Sequence, residues 1–382
     1  MKGHIKKTKS GYTVILSTTD PLTGKRKRPH YSGYNTKKEA EIILAKLLND
    51  FHNNRLLPIT NITVGELIKE WLKEIKPLYK ATTFEVMERQ LQRYIVEPIG
   101  KIKLKDLRNR DLNKLYAQLA EGTEERKKIS PKTIKNVHAY LRAVLKVAID
   151  WEYITNNPCN NVILPKSETN KEIFTFTREE AKKIIEESRK ESLKYACLWE
   201  LLLLTGLRRG EALGLMWGNI NLSTGECLIK QSLTMVSHKP VLSTPKTSKS
   251  LRVINLPTQL ISTLKEYKKE QSKNKLALGR DWRGTRDFVF THEDGRNMNP
   301  EVVSSHFKSK LKQYGILKKG NIHSMRHTWA TLALENNVHV KVVSEQLGHS
   351  NIQITLDIYS HASLELKNEA SNIVTDYIFT AG

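Results

Sequence analysis

Cysteine is scarce in this chain of 382 residues: Cys159, Cys197 and Cys227 are its three, and none belongs to a C-x-x-C pair. That argues against a disulfide framework or a structural zinc site and fits a reducing cytoplasm. Long apolar runs are missing too. The most apolar stretch, Leu198 to Leu204, is short and interrupted by Glu200, and the basic, polar N-terminus carries no apolar h-region. Neither a membrane span nor export is expected. Gly206, Gly210 and Gly214 follow neither the G-x-G-x-x-G nor the Walker spacing, so they make no phosphate loop. Acidic residues are in deficit, 40 against 63 Lys and Arg, and the net charge of +23 is spread along the chain rather than gathered in one tail. A chain basic throughout suits a polyanion. Nucleic acid is favoured, because an anionic membrane would be met by one basic amphipathic helix or a polybasic cluster. A generally basic proteome is the plain alternative.

What is present falls into three parts. Residues 1–35 alternate apolar and polar, with Tyr12, Val14 and Leu16 on one face, a turn at T-D-P-L-T-G and a basic strand after it. Thr36 and Glu39 form a capping box that opens a helix, so a small three-stranded sheet backed by one helix is expected. Lys25, Arg26, Lys27 and Arg28 on one strand suit a DNA groove, or equally a solvated edge protected by charge. Leu56 to Thr63 reads as a linker. From Val64 to Trp151 the periodicity is helical throughout and predicts a four-helix bundle, whose last helix opens at Ser130-Pro131. Lys132 and Lys135 on that helix face phosphates or simply solvent. Asn156 to Lys171 reads as a second linker.

After it, Thr177 and Glu180 form another capping box, and L-K-Y-A-C-L-W-E-L-L-L-L predicts a helix apolar nearly all round, at the centre of a core. It runs into T-G-L-R-R-G-E, which places Arg208 at a rigid break with Glu211 close enough to orient it; a helix cap is the bland reading of such an arginine. Short alternating runs, G-N-I-N-L, C-L-I-K-Q-S-L and L-R-V-I-N-L-P, predict a three-stranded antiparallel sheet. Lys246 lies on the polar turn before the last strand, able to reach a DNA strand or to sit in solvent. H-E-D at 292–294 lies in a turn and lacks a second ligand pair, so no metal is assigned. In the stretch from Asn321 to Tyr359, His323 and Arg326 sit one helical turn apart and leave the same face. His349 follows a Gly that ends a helix at Leu347, and Tyr359 closes a short apolar helix ten residues on. Guanidinium and imidazole donors with a phenol are the parts of a phosphoryl-transfer site.

Five motifs in order, T-G-L-R-R-G-E, P-K-T-S-K-S-L-R, H-S-M-R-H-T, L-G-H-S and L-D-I-Y-S, resemble those of the tyrosine recombinases, and more closely the integrases of phages and conjugative transposons of Gram-positive bacteria. The resemblance implies a multidomain, mainly α chain in three parts. These are an arm-type DNA-binding domain (1–57) of small β-sheet plus helix, a core-binding helical bundle (64–158), and a mixed α+β catalytic domain (172–382) with a small antiparallel sheet and a C-terminal tail helix. It implies site-specific integration and excision through a 3′-phosphotyrosyl intermediate, with no cofactor. Arg208 and Arg326 would clamp the scissile phosphate, Lys246 (or Lys249 on the same turn) would protonate the leaving 5′ oxygen, and His323 would be the acid–base partner of Tyr359. His349 would donate to a phosphate oxygen, and Tyr359 would be the nucleophile. The implied partners are double-stranded attachment sites, a homotetramer on DNA, an excisionase and a host DNA-bending protein. A type IB topoisomerase and a catalytically silent DNA-binding regulator are the competing readings.

Overall fold

The computed structural model describes residues 2–8, 11–19, 26–27, 30–52, 61–124, 126–166, 174–237, 239–243, 251–316, 320–349 and 351–359. They fall into two compact units, Met1–Glu168 and Thr169–Gly382.

In the first unit, strands β1 (Lys2–Thr8), β2 (Gly11–Thr19), β3 (Arg26–Lys27) and β4 (His30–Tyr34) precede helix α1 (Lys37–His52). β2 is central and antiparallel to the other three, pairing Val14 with both Ile5 and Tyr31. The expected three strands are therefore joined by a two-residue fourth. Val14 and Leu16 are buried as expected, yet Thr13 and Ile15 on the opposite face are buried too. Both faces of the central strand are therefore covered at these positions, one of them by contact with α1, so alternation distinguishes the faces without marking either as open to solvent. Gly3 lacks the Cβ that would stand 2.5 Å from Leu44 of α1, which lets the helix sit close against the sheet. The Thr36–Glu39 capping box forms.

Four helices follow: α2 (Val64–Ile75), α3 (Ala81–Leu91), α4 (Asn109–Glu121) and α5 (Pro131–Asp150). Thr63 is the N-cap of α2. α3 runs on through one π-helical turn, Gln92–Val96, to Ile99. Its cause is local. Pro98 has no N–H to give Tyr94, and the Arg93 carbonyl is taken by Arg126, which also pairs with Glu97 at 2.9 Å. The Glu97 N–H therefore donates to Gln92. α5 opens as the sequence predicts, with the Ser130 hydroxyl accepting from Thr133 N–H, and buries Ile134, Val137, Leu141, Val144, Leu145 and Ala148 along one stripe. The segment from Asn156 does not behave as a linker at its start. The Asn157 side chain donates to the Arg142 carbonyl and accepts from Cys159 N–H, and Cys159 is buried in the bundle core.

The second unit is built around α7 (Leu193–Thr205), almost entirely buried and packed by α6 (Arg178–Glu191), α9 (Thr258–Leu278) and α11 (Ile322–Glu335). Buried Glu200, within α7, is held by Arg189 at 3.1 Å and the Thr263 hydroxyl at 2.8 Å. Short helix α8 (Arg209–Leu213) follows α7; α10 (Pro300–Gln313), α12 (Val340–Leu347) and α13 (Gln353–Tyr359) complete the set. The expected three-stranded sheet is instead two ladders. β5 (Glu226–Ile229) pairs with β8 (Arg252–Asn255), and β6 (Ser232–Val236) with β7 (Lys239–Ser243). C-L-I-K-Q-S-L breaks between β5 and β6 because Gln231 turns its amide to the Gly214 carbonyl. G-N-I-N-L contributes a single bridge, Ile220 to Cys227.

Leu141 has no exposed surface, so Leu141→Ala should lower stability by about 2–5 kcal/mol, against about 1 kcal/mol for Ser130→Ala. Urea unfolding of both variants checks the order; a larger loss from Ser130→Ala would contradict the assigned core.

Candidate active site

The site starts where α7 stops. Gly206 takes the left-handed conformation, φ 66°, and a Cβ there would lie 2.5 Å from Leu347 and 3.1 Å from Trp329. Only glycine suits both the angle and the space. The turn sets Arg208 as N-cap of α8, where its N–H donates to Glu211 Oε2 at 3.0 Å and its Nη1 to Glu211 Oε1 at 2.9 Å. Arg209 turns away and binds Ser304 of α10. Of the two adjacent arginines, the first therefore belongs to the site and the second to the scaffold.

Three guanidiniums converge on the C-terminal end of α12. Arg252, first residue of β8, donates Nε to the Gln346 carbonyl at 2.7 Å. Arg326 of α11 donates Nη2 to Leu347 at 2.7 Å and Nη1 to the Gly206 carbonyl at 2.8 Å. Arg208 donates Nη2 to Gly348 at 3.1 Å and, at 3.4 Å, Nη1 to Leu347. The last carbonyls of a helix have no partner within it and carry partial negative charge, so they receive cations well. Glu211, buried between Arg208 and Arg252, takes Arg252 Nη2 at 2.9 Å and Nη1 at 3.3 Å. Burial alone would raise its pKa, but hydrogen bonds and charge from Arg252 and Arg208 prevail and hold it low. Arg326 is 3% exposed. Burial first, and Arg208 next, push its pKa down to about 9, which still leaves it a cation at neutral pH.

Gly348, φ 65°, closes α12 and delivers His349 directly behind the three carbonyls. His349 Nδ1 lies 2.8 Å from the hydroxyl of Thr355 in α13. With Thr355 as the donor, Nε2 carries the imidazole proton and becomes a donor itself. Burial, then Arg326 and Arg208, push the His349 pKa down to about 4. His323 lies in the first turn of α11 behind the Asn321 cap, its ring edge-on to His327 at 4.5 Å. His323 is exposed on one side, yet partial desolvation and then Arg326 and Arg208 lower its pKa. Burial and His323 push His327 to about 4, and His327 Nδ1 has no hydrogen-bond partner among the described residues.

Arg208, Glu211, Arg326 and His349 are thus brought together, with His323 on the same helix as Arg326. Tyr359 is the last residue of α13; its side chain lies outside the described residues, as do Lys246, Lys249, Lys25 and Arg28. Arg26 and Lys27 form β3, with side chains likewise outside the described residues. Lys132 and Lys135 are exposed on α5, in this geometry as open to solvent as to a ligand. In the H-E-D turn, Glu293 pairs with Lys194 and Asp294 with Arg296. Sequence reasoning gave no role to Arg252 or Thr355. Arg252 was findable in part: strand alternation puts it on the same face as Ile254, which is buried. Thr355 carried no signal, since its partner is a side chain presented by a different helix.

A mainly helical unit that gathers arginines and neutral imidazoles at one helix end, just before a helix ending in tyrosine, has the layout of a tyrosine-dependent phosphoryl-transfer domain. The chain belongs to the phage integrase family: the sequence profile of that family matches residues 175–365. Profiles for an arm DNA-binding domain and for the N-terminal SAM-like domain of phage integrases match residues 4–51 and 63–120. A tyrosine recombinase XerC-like protein of Caldanaerobacter subterraneus subsp. tengcongensis is 32% identical over 98% of both chains. The integrase of the Tn1549 transposon, solved with transposon right end DNA, matches 84% of this chain and all of its own at 20% identity and TM-score 0.66. A lambda integrase tetramer bound to a Holliday junction matches 93% of this chain and 94% of its own, at 17% identity and TM-score 0.59. The fold is shared with both. The protein is a tyrosine recombinase of the integrase type.

Two imidazoles that stay neutral in the fold set a pH dependence. Between the ordinary histidine pKa of 6.5 and about 4, the unfolded chain takes up protons at His349 and His327 while the folded chain does not. Stability should therefore fall as pH drops through that window. The thermal midpoint of the DNA-free protein, followed from pH 7 to 4.5, should decline, and less steeply in His349→Gln. An identical slope in that variant would contradict the neutral imidazole.

Proposed function

We propose that the protein integrates and excises a mobile element by cutting and rejoining DNA at attachment sites, with Tyr359 as nucleophile. The observation that carries this reading is the convergence of Arg208, Arg326 and His349 on one helix terminus. A pentacoordinate phosphorane carries negative charge on its equatorial oxygens, and fixed guanidiniums stabilise it without reorganising. The Tyr359 oxygen attacks phosphorus and the bond to the 5′ oxygen breaks, giving a 3′-phosphotyrosine and a free 5′-hydroxyl. A phenol of pKa about 10 is mostly protonated at neutral pH, so His323, held neutral, takes its proton. Lys246 gives a proton to the departing oxygen, and His349 donates Nε2–H to a phosphate oxygen. Because the phosphate remains esterified, a 5′-hydroxyl from another strand reverses the step. No ATP or other cofactor enters that balance.

In this reading residues 1–57 hold arm sites, 64–158 grip the core site, where Lys132 and Lys135 meet phosphate, and 172–382 carry the chemistry. Two DNA-binding parts on one chain raise the effective concentration of the second site once the first is bound. Four cleavages across two duplexes need four subunits, and the tetrameric assembly of the structural neighbour on a Holliday junction supports that number. An excisionase and a host DNA-bending protein would set direction and bring arm and core sites together. The match to an arm DNA-binding profile favours recombination over a type IB topoisomerase.

A radiolabelled, nicked duplex carrying a candidate attachment site should give a covalent protein–DNA band on a denaturing gel, and Tyr359→Phe should abolish it. Tight binding with no band would instead favour a silent regulator. Ending the chain after His361 should prevent synapsis of two sites while single-site binding survives in gel-shift assays; normal synapsis would remove the tail from the assembly.

A further inference from the structure

Arg252 is the one guanidinium of the cluster that the proposed chemistry leaves without a task, and it is the most thoroughly tied of the three. Its Nη2 and Nη1 reach both oxygens of Glu211, at 2.9 and 3.3 Å, and its Nε reaches the Gln346 carbonyl at 2.7 Å. Its side chain is 7% exposed and that of Glu211 8%. A pair so enclosed gains little from water, so it persists only when the geometry is good and the remaining donors are met. The two groups that Arg252 joins are those that aim the phosphate-binding side chains. Glu211 holds the backbone and the guanidinium of Arg208. Gln346 lies in the last turn of α12, whose Gly348 cap delivers His349. A Cβ at Gly348 would stand 3.0 Å from the Arg252 guanidinium, so the cap and the arginine are in close packing. Arg252 also opens β8, the strand that follows the connection bearing Lys246.

We infer that Arg252 is a positioning residue of the strand-cleavage centre, a single planar fork that fixes Arg208, through Glu211, against the α12 terminus that presents His349. It rests on the recombinase reading above. Lysine keeps the charge but is a compact point donor without the fork, and it cannot span a carboxylate and a carbonyl in the same way. Arg252 is bonded to a carboxylate and a backbone carbonyl of the scaffold, so the role inferred for it is alignment, and its loss should alter the rate of cleavage and not the grip on DNA.

The test uses the full chain and the nicked duplex described above, made with either a normal scissile phosphate or a methylphosphonate, in which one charged oxygen is replaced by methyl. The neutral linkage develops less charge for guanidiniums to stabilise, so a defect that acts through Arg208 should matter less there. Arg252→Lys should slow adduct formation on the phosphodiester by on the order of 10- to 100-fold, the range seen when a group that orients a metal ligand is removed. Affinity for the duplex should stay within about twofold, as expected when no phosphate contact is lost. On the methylphosphonate the slowing should be several-fold smaller, in parallel with Arg208→Ala. An equal loss on both substrates would make Arg252 a fold residue and overturn the inference, as would unchanged cleavage or a loss confined to DNA affinity. If the parent protein binds the duplex and forms no adduct, the recombinase reading falls and this inference with it; if the parent cleaves and Arg252→Lys cleaves equally well, this inference alone falls.

Discussion

A helix normally ends in carbonyls that look for partners, and here the end of α12 has been given three of them, all arginines. The Gln346, Leu347 and Gly348 carbonyls take Arg252, Arg326 and Arg208 respectively. Each arginine comes from a different element, so the helix terminus acts as the common reference against which a strand, a helix and a turn are aligned. The left-handed glycines at 206 and 348 make this approach possible, one by letting Leu347 come within touching distance, the other by closing the helix. Glu211 ties Arg208 to Arg252, but among the described residues it is the α12 terminus that joins Arg326 to that pair.

Gathering three cations has an electrostatic cost that the surroundings meet in two ways. The first is Glu211, whose buried carboxylate lies between two of the guanidiniums and stays ionised because of them. The second is the state of the histidines, since imidazoles partly desolvated by the protein and set beside this much positive charge have lowered pKa values and stay neutral. Neutrality suits both assigned roles: a neutral His323 can accept a proton, and a neutral His349 can donate one hydrogen bond while accepting another. The cluster keeps a net positive charge, which an incoming phosphodiester would complete.

Much of this was legible beforehand, and the division has a physical reason. Capping boxes at Thr36 and Thr177, the Ser130 cap, the Gly348 stop and the all-round apolar α7 are governed by residues within a turn of each other, so the sequence displays them directly. The arginines and histidines were readable as types at particular breaks. Their partners were not, because backbone carbonyls look alike in a sequence. The same limit explains the misread sheet. Alternation shows that C-L-I-K-Q-S-L is extended, but at Gln231 the side chain donates to the Gly214 carbonyl, 17 residues earlier, a partner the local pattern does not display. It also explains why Asn157, with the composition of a linker, proves to be docked on α5.

The distances along the chain between these partners have a temporal consequence. Arg208 is 139 residues from the Leu347 carbonyl and 140 from that of Gly348. Contacts of such separation form late, both in refolding and on a ribosome that releases the N-terminal parts first. Glu211 can hold Arg208 from three residues away as soon as α8 forms, but the α12 carbonyls against which Arg208 and Arg326 are set come only with the last of these elements. A recombinase is thereby born unarmed, its arginines sharing no common anchor until the chain has been made as far as Gly348.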